Sequence, residues 1–198
     1  MAGNRNRSVR VTPPAETLLS VADLKAQCRV FHDDEDDYFT LLVSVLTAFF
    51  EGPETRWRRC FIDQVWQDDF NNFSDLFLAL VPVQSVDAVK YLNTDGQLIT
   101  LDPADYYLAH VMAGDCVRMA DGFSVPSDLA DRPGAVQVVY SVGSGGVDDV
   151  PADVKHAARL LGGHWYEHRE SVIITAGAKA MPVPQTLDML MTPYRRWS

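Results

Sequence analysis

The sequence predicts an α+β fold in which a small α-helical bundle carries a β-rich antiparallel insertion. Apolar runs with helical spacing lie towards the two ends of the chain, at Tyr38 to Phe50 and at Val154 to Leu161. The middle contains short runs of β-branched and aromatic residues separated by turn residues. Helices do not alternate with these runs, so we expect an antiparallel sheet and not a parallel βαβ sheet.

A chain of 198 residues suits a single domain, which we place at residues 1–198. We expect residues 18–52 and 150–196 to form the helical core, with two N-terminal and two C-terminal helices, and residues 55–143 to form the β insertion. The net charge of −10 weighs against a protein that wraps DNA, because phosphate neutralisation needs clustered Lys and Arg. An acidic chain could still line a passage for DNA.

The sequence predicts no metal-binding or disulfide framework and no membrane segment. Cys28, Cys60 and Cys116 are widely spaced and odd in number, which favours free thiols in a reducing cytoplasm. No apolar stretch follows the basic start of the chain, and no run of 18 apolar residues occurs. We therefore expect neither a signal peptide nor a membrane span, and no cofactor.

Two helices are predicted in the N-terminal part, after a loose polar arm at residues 1–17. Ser20 and Asp23 have the spacing of a capping box, so a first helix begins at Ser20 and ends before His32. The acidic run Asp33 to Asp37 favours the start of a second helix, because carboxylates offset the positive end of the helix dipole. A calcium loop is disfavoured, since the EF-hand glycine and distal glutamate are absent.

The second helix, Tyr38 to Phe50, is apolar on almost every side and ends at Gly52-Pro53. In a domain of this size, such a helix should be nearly buried, with neighbouring subunits covering part of it.

Several strands are predicted between residues 55 and 143. The clearest signal is Asp95-Gly96 between two β-rich runs, which predicts a hairpin with a type I′ turn. The predicted strands are Arg56 to Trp66, Leu76 to Val83, Val89 to Leu92, Gln97 to Leu101, Tyr106 to Met112, Cys116 to Met119 and Ala135 to Val142.

The glycine-rich segment Ser141 to Gly146 is predicted to be a hinge between sheet and helix, because it lacks the Lys-Ser/Thr of a phosphate-binding loop. A third helix should start near Asp149 to Pro151, and Gly162-Gly163 within it predicts the close approach of another helix. A last short helix is expected at Gln185 to Met191. One face of the third helix is predicted to contain Val154, Ala157, Ala158, Leu161, Trp165, His168 and Val172.

The third helix also contains the pattern H-x-x-E-H, which is typical of a family of zinc proteases. In that interpretation His164 and His168 would bind zinc and Glu167 would activate water, giving a small zinc-dependent hydrolase. The histidines, however, lie beside Trp165 on the apolar face, and few acidic residues follow that could be a third ligand. We therefore favour a packing interface formed by Gly162, Gly163, His164, Trp165 and His168.

The chain ends in a basic and aromatic segment, Tyr194, Arg195, Arg196 and Trp197. Aromatic residues and arginine dominate binding hot spots, so this segment is a candidate for docking onto a partner. The alternative is a frayed terminus that binds nothing.

The order of motifs along the chain resembles the head–tail connector (adaptor) family of long-tailed bacteriophages, prophages and gene transfer agents. The matching stretches are TPPAETLLSVADLKAQCRVFHDDEDDYFTLLV, VPVQSVDAVKYLNTDG, Asp105-Tyr106-Tyr107, Ala130 to Pro133, VPADVKHAARLLGGHWYEHRES and Leu187 to Arg195.

This resemblance implies a structural protein without catalytic activity. Members form a ring, commonly of twelve subunits, beneath the portal protein, and they join the portal to a tail-proximal stopper or terminator protein. DNA passes through the channel without sequence-specific binding. The resemblance places the protein in the neck of a phage-like particle assembled in the bacterial cytoplasm, and we expect the C-terminal segment to dock on the portal. A generic intracellular binding module remains the third hypothesis.

Overall fold

The computed structural model describes residues 4–169 and 185–195. Its fold is α+β, as predicted, with helices towards the ends of the chain and two antiparallel sheets, the larger of which includes an N-terminal strand that precedes the helices. In chain order the elements are β1 (Arg5–Thr12), α1 (Val21–Cys28), α2 (Asp36–Phe50), β2 (Gln64–Phe70), β3 (Leu76–Phe77), β4 (Val83–Leu92), β5 (Leu98–Thr100), β6 (Tyr106–Val111), β7 (Gly114–Met119), β8 (Val136–Val142), α3 (Ala152–Glu167) and α4 (Gln185–Met191).

The starts of α1 and α2 agree with the sequence prediction. The Ser20 hydroxyl accepts a hydrogen bond from the backbone N–H of Asp23, and the Asp23 carboxylate accepts one from the N–H of Ser20. The acidic run precedes and opens α2, where Lys25 from α1 binds both Asp33 and Asp36, at 2.8 Å and 2.6 Å. The run therefore stabilises a helix start and also ties α2 to α1.

The two sheets contain the eight strands found in the described residues. The larger sheet has the order β1-β2-β8-β4-β5 and the smaller sheet has the order β3-β7-β6. All pairs are antiparallel, which confirms the prediction for the middle of the chain. In the larger sheet β8 lies at the centre and β1 and β5 form the edges.

Two hydrophobic clusters form the interior. The first brings together the inner faces of α1, α2, α3 and α4 with Trp57, Phe61 and Ile62. The second fills the space enclosed by the two sheets and includes Phe70, Val138 and Tyr140. The domain boundaries 18–52, 55–143 and 150–196 stay a prediction.

A buried carboxylate connects the two regions. Glu51, which follows the last residue of α2, is 3% exposed. It accepts hydrogen bonds from the backbone N–H groups of Phe61 and Ile62 and from the side-chain amide of Gln64. Burial raises the pKa of this carboxyl to about 7, although the hydrogen bonds oppose the shift. The end of α2 is therefore fixed to the start of β2.

Several sequence predictions require correction. The strand predicted at Leu76 to Val83 is interrupted, because β3 ends at Phe77 and β4 begins only at Val83. Residues 5–12 are not a loose arm, because they form β1 and pair with β2. The strand predicted at Arg56 to Trp66 begins only at Gln64, since the preceding residues form turns. The turn at Asp95-Gly96 is not type I′: Gly96 has a positive φ of 79°, but Asp95 does not. The Gly96 N–H donates to the Asn93 carbonyl, and the Asn93 N–H donates to Gln97, which makes a turn followed by a left-handed glycine.

A further correction concerns the predicted face of α3. Val154, Ala157, Ala158 and Leu161 are buried and Trp165 is half-buried, but the helix ends at Glu167 and His168 is exposed. Val172 lies outside the described residues.

All three cysteines fall within the described residues and are free thiols, and Cys60 and Cys116 are buried. Among the helices that the structure describes, none has the length and apolar character needed to cross a bilayer.

Candidate assembly surface

The outer face of α2 is an exposed apolar stripe. Leu41, Val45 and Phe49 recur at intervals of four residues, so they lie on one side of the helix. They are 58%, 44% and 37% exposed. The opposite side is buried in the helical cluster by Phe39, Leu42, Val43, Leu46 and Phe50. The single chain therefore leaves this side of α2 exposed, and its cover by a neighbouring subunit stays a prediction.

The close packing of α3 explains why the stripe points outward. Gly162 faces α1 and α2, and a Cβ atom placed on it would lie 2.6 Å from Leu24 Cδ1 and 2.8 Å from Leu46 Cδ1. The predicted close approach of another helix at Gly162-Gly163 is thus present within the chain. At Gly163 the nearest atom, Gln27 Cγ, would be 3.5 Å away. Of the two glycines, Gly162 is therefore the one at which close packing leaves little room for a side chain.

The aromatic residues at the end of α3 also pack within the chain. Tyr166 stacks on Phe39 with ring centroids 4.8 Å apart, and its hydroxyl donates to Glu35. Trp165 meets Phe49 edge to face at 5.7 Å. The Tyr166 hydroxyl, and then Arg169, lower the pKa of Glu35. This part of α3 therefore holds α2 in place from one side.

The two histidines of the H-x-x-E-H stretch lie side by side at the end of α3. Their ring centroids are 4.6 Å apart, and His168 Nδ1 lies 3.0 Å from the carbonyl oxygen of His164. Within residues 4–169 and 185–195, no three His, Cys, Asp or Glu side chains come together in a way that could hold a metal ion. The zinc interpretation thus finds no third ligand in this part of the chain. The participation of His164, Trp165 and His168 in an interface between copies stays a prediction.

Tyr194 is anchored to its own chain. Its hydroxyl donates to the Asp153 carboxylate at 2.8 Å, and its ring contacts Phe61 edge to face at 5.4 Å. The Arg59 guanidinium lies 5.9 Å from the Tyr194 ring centroid. Burial and the Asp153 carboxylate raise the pKa of Tyr194 to about 12. Tyr194 therefore ties the last described residues of the chain to α3 and to Phe61.

The next residue lies at the rim of an open pocket. Arg195 is exposed and lines this pocket of about 420 Å³ together with Arg59, Val81, Pro82, His110, Met112, Gly114 and Asp115. Arg196 and Trp197 lie outside the described residues. The docking role of Tyr194, Arg195, Arg196 and Trp197 stays a prediction.

A groove that the sequence analysis missed lies where the end of α2 meets the edge strand β1. Its volume is about 650 Å³, and it is lined by Val9, Arg10, Phe49, Arg56, Trp57 and Trp66, among other residues. The Arg10 guanidinium stacks 4.9 Å above the Trp66 ring. The signal for β1 was the alternation Arg7-Ser8-Val9-Arg10-Val11, which has the period of a strand. The sequence analysis predicts a loose arm at residues 1–17 and no strand, so it does not predict a groove that β1 helps to form.

No protein-family model matches the chain, and no curated protein matches it either. Solved structures do match over nearly the whole length. A chain in "Virion of native gene transfer agent (GTA) particle" has 23% identity and a TM-score of 0.69, covering 98% of this chain and 97% of that one. A chain in "Neck of empty GTA particle computed with C6 symmetry" has 22% identity and a TM-score of 0.72 over 98% and 97%. A chain in "Neck of native GTA particle computed with C12 symmetry" has 22% identity and a TM-score of 0.62 over 95% and 96%. The protein therefore shares the complete fold of chains found in gene transfer agent particles.

Proposed function

We propose that this protein is a head–tail connector (adaptor) subunit in the neck of a gene transfer agent or related phage-like particle. The observation that carries the proposal is the similarity of fold, over 95–98% of the chain, to chains in structures of gene transfer agent virions and necks. The order of sequence motifs supports the same assignment independently of the structure. The role is structural, without catalysis or a cofactor.

Assembly into a ring of twelve subunits is part of this proposal. Two of the similar structures are necks computed with C6 and C12 symmetry, which supports a ring. A closed ring needs head-to-tail contacts between identical chains, and each contact needs apolar area to bury. The exposed stripe of Leu41, Val45 and Phe49 on α2 supplies such area.

The ring would lie beneath the portal protein and meet a stopper or terminator protein on the tail side. DNA would pass through its channel without sequence-specific binding. The net charge of −10 suits a passage to which DNA does not adhere. Assembly would take place in the bacterial cytoplasm.

Docking onto the portal is assigned to the C-terminal segment. Tyr194 is held against α3 through Asp153, and Arg195 lines a pocket together with Arg59 and Met112. Met112, at the tip of the β6–β7 hairpin, is fully exposed. An arginine-rich, partly apolar surface of this kind is typical of binding hot spots.

A binding experiment with tail-less, portal-bearing particles tests the proposal. Purified protein should co-sediment with these particles and not with capsid shells that lack the portal. Replacing Arg195, Arg196 and Trp197 together by alanine should abolish co-sedimentation. The matched control replaces Arg118, Val125 and Arg132, which are exposed in the β region, by alanine and should co-sediment normally. Absence of wild-type protein from the pellet would overturn the proposed function.

A further inference from the structure

The groove between α2 and β1 is apolar at its base and basic at its rim. Phe49, Trp57 and Trp66 supply aromatic surface. Arg10 and Arg56 are exposed beside it, but Arg56 already forms an ion pair with Asp188 at 2.9 Å. Arg10, stacked on Trp66, is therefore the cation that the groove presents to an occupant, and Glu54 is an exposed carboxylate of the lining. The other acid that lines the groove, Glu51, is buried and accepts hydrogen bonds from backbone N–H groups. The groove therefore favours an occupant with an apolar side chain and a negative charge.

A segment with these properties lies at the opposite end of α2. Phe31, in the loop between α1 and α2, is 90% exposed, although a phenylalanine in a monomeric protein is normally covered. It is followed by the acidic run. Asp33 is bound by Lys25, but the Asp34 side chain is 91% exposed, and among the described residues its ion-pair partner is His32, at 3.5 Å.

We propose that the groove of one copy receives Phe31 and the Asp34 carboxylate of the next copy, with Arg10 as the partner of Asp34. This inference rests on the proposed ring. The two surfaces lie at opposite ends of a 15-residue helix, which is about 22 Å long at 1.5 Å per residue. A contact between two different surfaces of the same chain is heterologous, and such contacts repeat head to tail until a ring closes.

The exposed apolar stripe on α2 would extend the proposed contact between two copies along the helix. Leu41, Val45 and Phe49 run along the helix from the end near the acidic loop to the groove, and Phe49 itself lines the groove. A neighbouring copy whose loop occupied the groove would thus also lie against apolar surface. Complementary charge at the rim would select the register of the two copies.

The test is a charge exchange, measured as the number of copies incorporated per particle by quantitative mass spectrometry. Asp34→Lys and Arg10→Glu should each lower incorporation at least about tenfold, since each places like charges together. The double variant Asp34→Lys with Arg10→Glu should recover most of it. Phe31→Ser should also lower incorporation. The controls are Asp95→Lys and Val125→Ser, which make the same kinds of change at exposed positions elsewhere and should assemble normally.

Each variant is also unfolded thermally as the isolated chain, so that loss of assembly is separated from loss of folding. Normal incorporation of the folded single variants would overturn the inference, and so would failure of the folded double variant to recover. Either result would leave the proposed function standing as long as the wild-type protein is found in the neck. Absence of the wild-type protein from the particles would instead contradict the proposed function itself.

Discussion

The helical region and the β region differ in how their exposed apolar side chains are arranged. In the β region the large side chains are enclosed between two sheets, and Phe70, Val138 and Tyr140 are fully buried. In the helical region the interior is just as closed, yet α2 leaves a second apolar face in solvent. The exposed apolar side chains of the β region, such as Val11, Leu98 and Met112, lie on separate strands and turns, whereas those of α2 form one row along a single helix.

The regions also differ in where their charged side chains lie and what those side chains bind. In the β region, buried carboxylates hold loops to the sheets: Asp68 accepts from the Ala79 N–H at 2.7 Å, and Asp115 accepts from the Val83 N–H at 2.8 Å. Burial raises the pKa of Asp68. In the helical region the charged pairs lie near the surface, as between Asp23 and Arg159. Surface pairs of this kind contribute little to folding, so packing carries the stability of the helices.

The two faces of α2 provide the strongest way to test this difference. Leu46→Ala should destabilise the isolated chain by about 3 kcal/mol, because it opens a cavity beside Gly162 in the helical cluster. The adjacent change Val45→Ser should alter the free energy of unfolding by less than about 0.5 kcal/mol but reduce assembly. Chemical denaturation measures the first effect and incorporation into particles the second. Equal destabilisation by both changes would show that the stripe belongs to the chain's own core.

Substitutions at the two adjacent glycines of α3 test how closely α1, α2 and α3 pack in the helical cluster. Gly162→Leu should cost about 2–3 kcal/mol, because the added side chain would collide with Leu24 and Leu46. Gly163→Ala should instead stabilise the helix by up to about 1 kcal/mol, since its Cβ meets only an ordinary contact with Gln27. Thermal unfolding of the two variants checks the contrast. A tolerated leucine at position 162 would contradict the close packing of α1, α2 and α3.

The connection between the regions should depend on pH through Glu51. Its pKa in the folded chain is about 7, above the ordinary value of 4.5, so the folded state binds the proton more tightly than the unfolded state. The stabilisation of the folded state by proton binding at Glu51 is fully present below pH 4.5 and is lost as the pH rises through 7. Over that window it amounts to about 3 kcal/mol.

Glu51→Gln should therefore flatten the pH dependence of the free energy of unfolding between pH 4.5 and 7. Part of the slope should remain, because burial also raises the pKa of Asp68. The matched control is Glu54→Gln, an exposed position in the following loop, which should leave the profile unchanged. If the free energy of unfolding had the same slope against pH in wild type and Glu51→Gln, Glu51 would not contribute to the pH dependence of stability.

The smallest expected effect concerns the start of α1. Ser20→Ala removes the hydroxyl that accepts from the Asp23 N–H and should cost about 1 kcal/mol. It also removes the hydrogen bond that, more than Arg159, lowers the pKa of Asp23. Ser44→Ala, at an exposed position within α2, is the control and should be neutral or slightly stabilising. Equal effects at the two serines would mean that the cap contributes nothing.

These contrasts also show what the sequence could and could not predict. The cap at Ser20, the helix at Gln185–Met191 and the hairpin around Gly96 depend on local residues, and the sequence predicted their positions. The strand β1 was missed because its partner, β2, lies more than 50 residues further along the chain. The burial of Glu51 was missed for the same reason, since its hydrogen-bond donors come from a turn that no local pattern specifies.

The sequence could likewise predict some features of the candidate assembly surface and not others. The apolar character of α2 and the close approach at Gly162 could be predicted from spacing and composition. The direction in which Leu41, Val45 and Phe49 point could not, because it depends on which side α3 occupies. The groove combines residues from β1, α2 and β2, so it exists only once the fold has formed.

A reconstruction of the assembled particle neck at side-chain resolution tests the central claim most directly. The account predicts a ring of identical copies in which Val45 and Phe49 of each copy are covered by its neighbour. A neck in which those two side chains still face solvent, or one built without this chain, would contradict it.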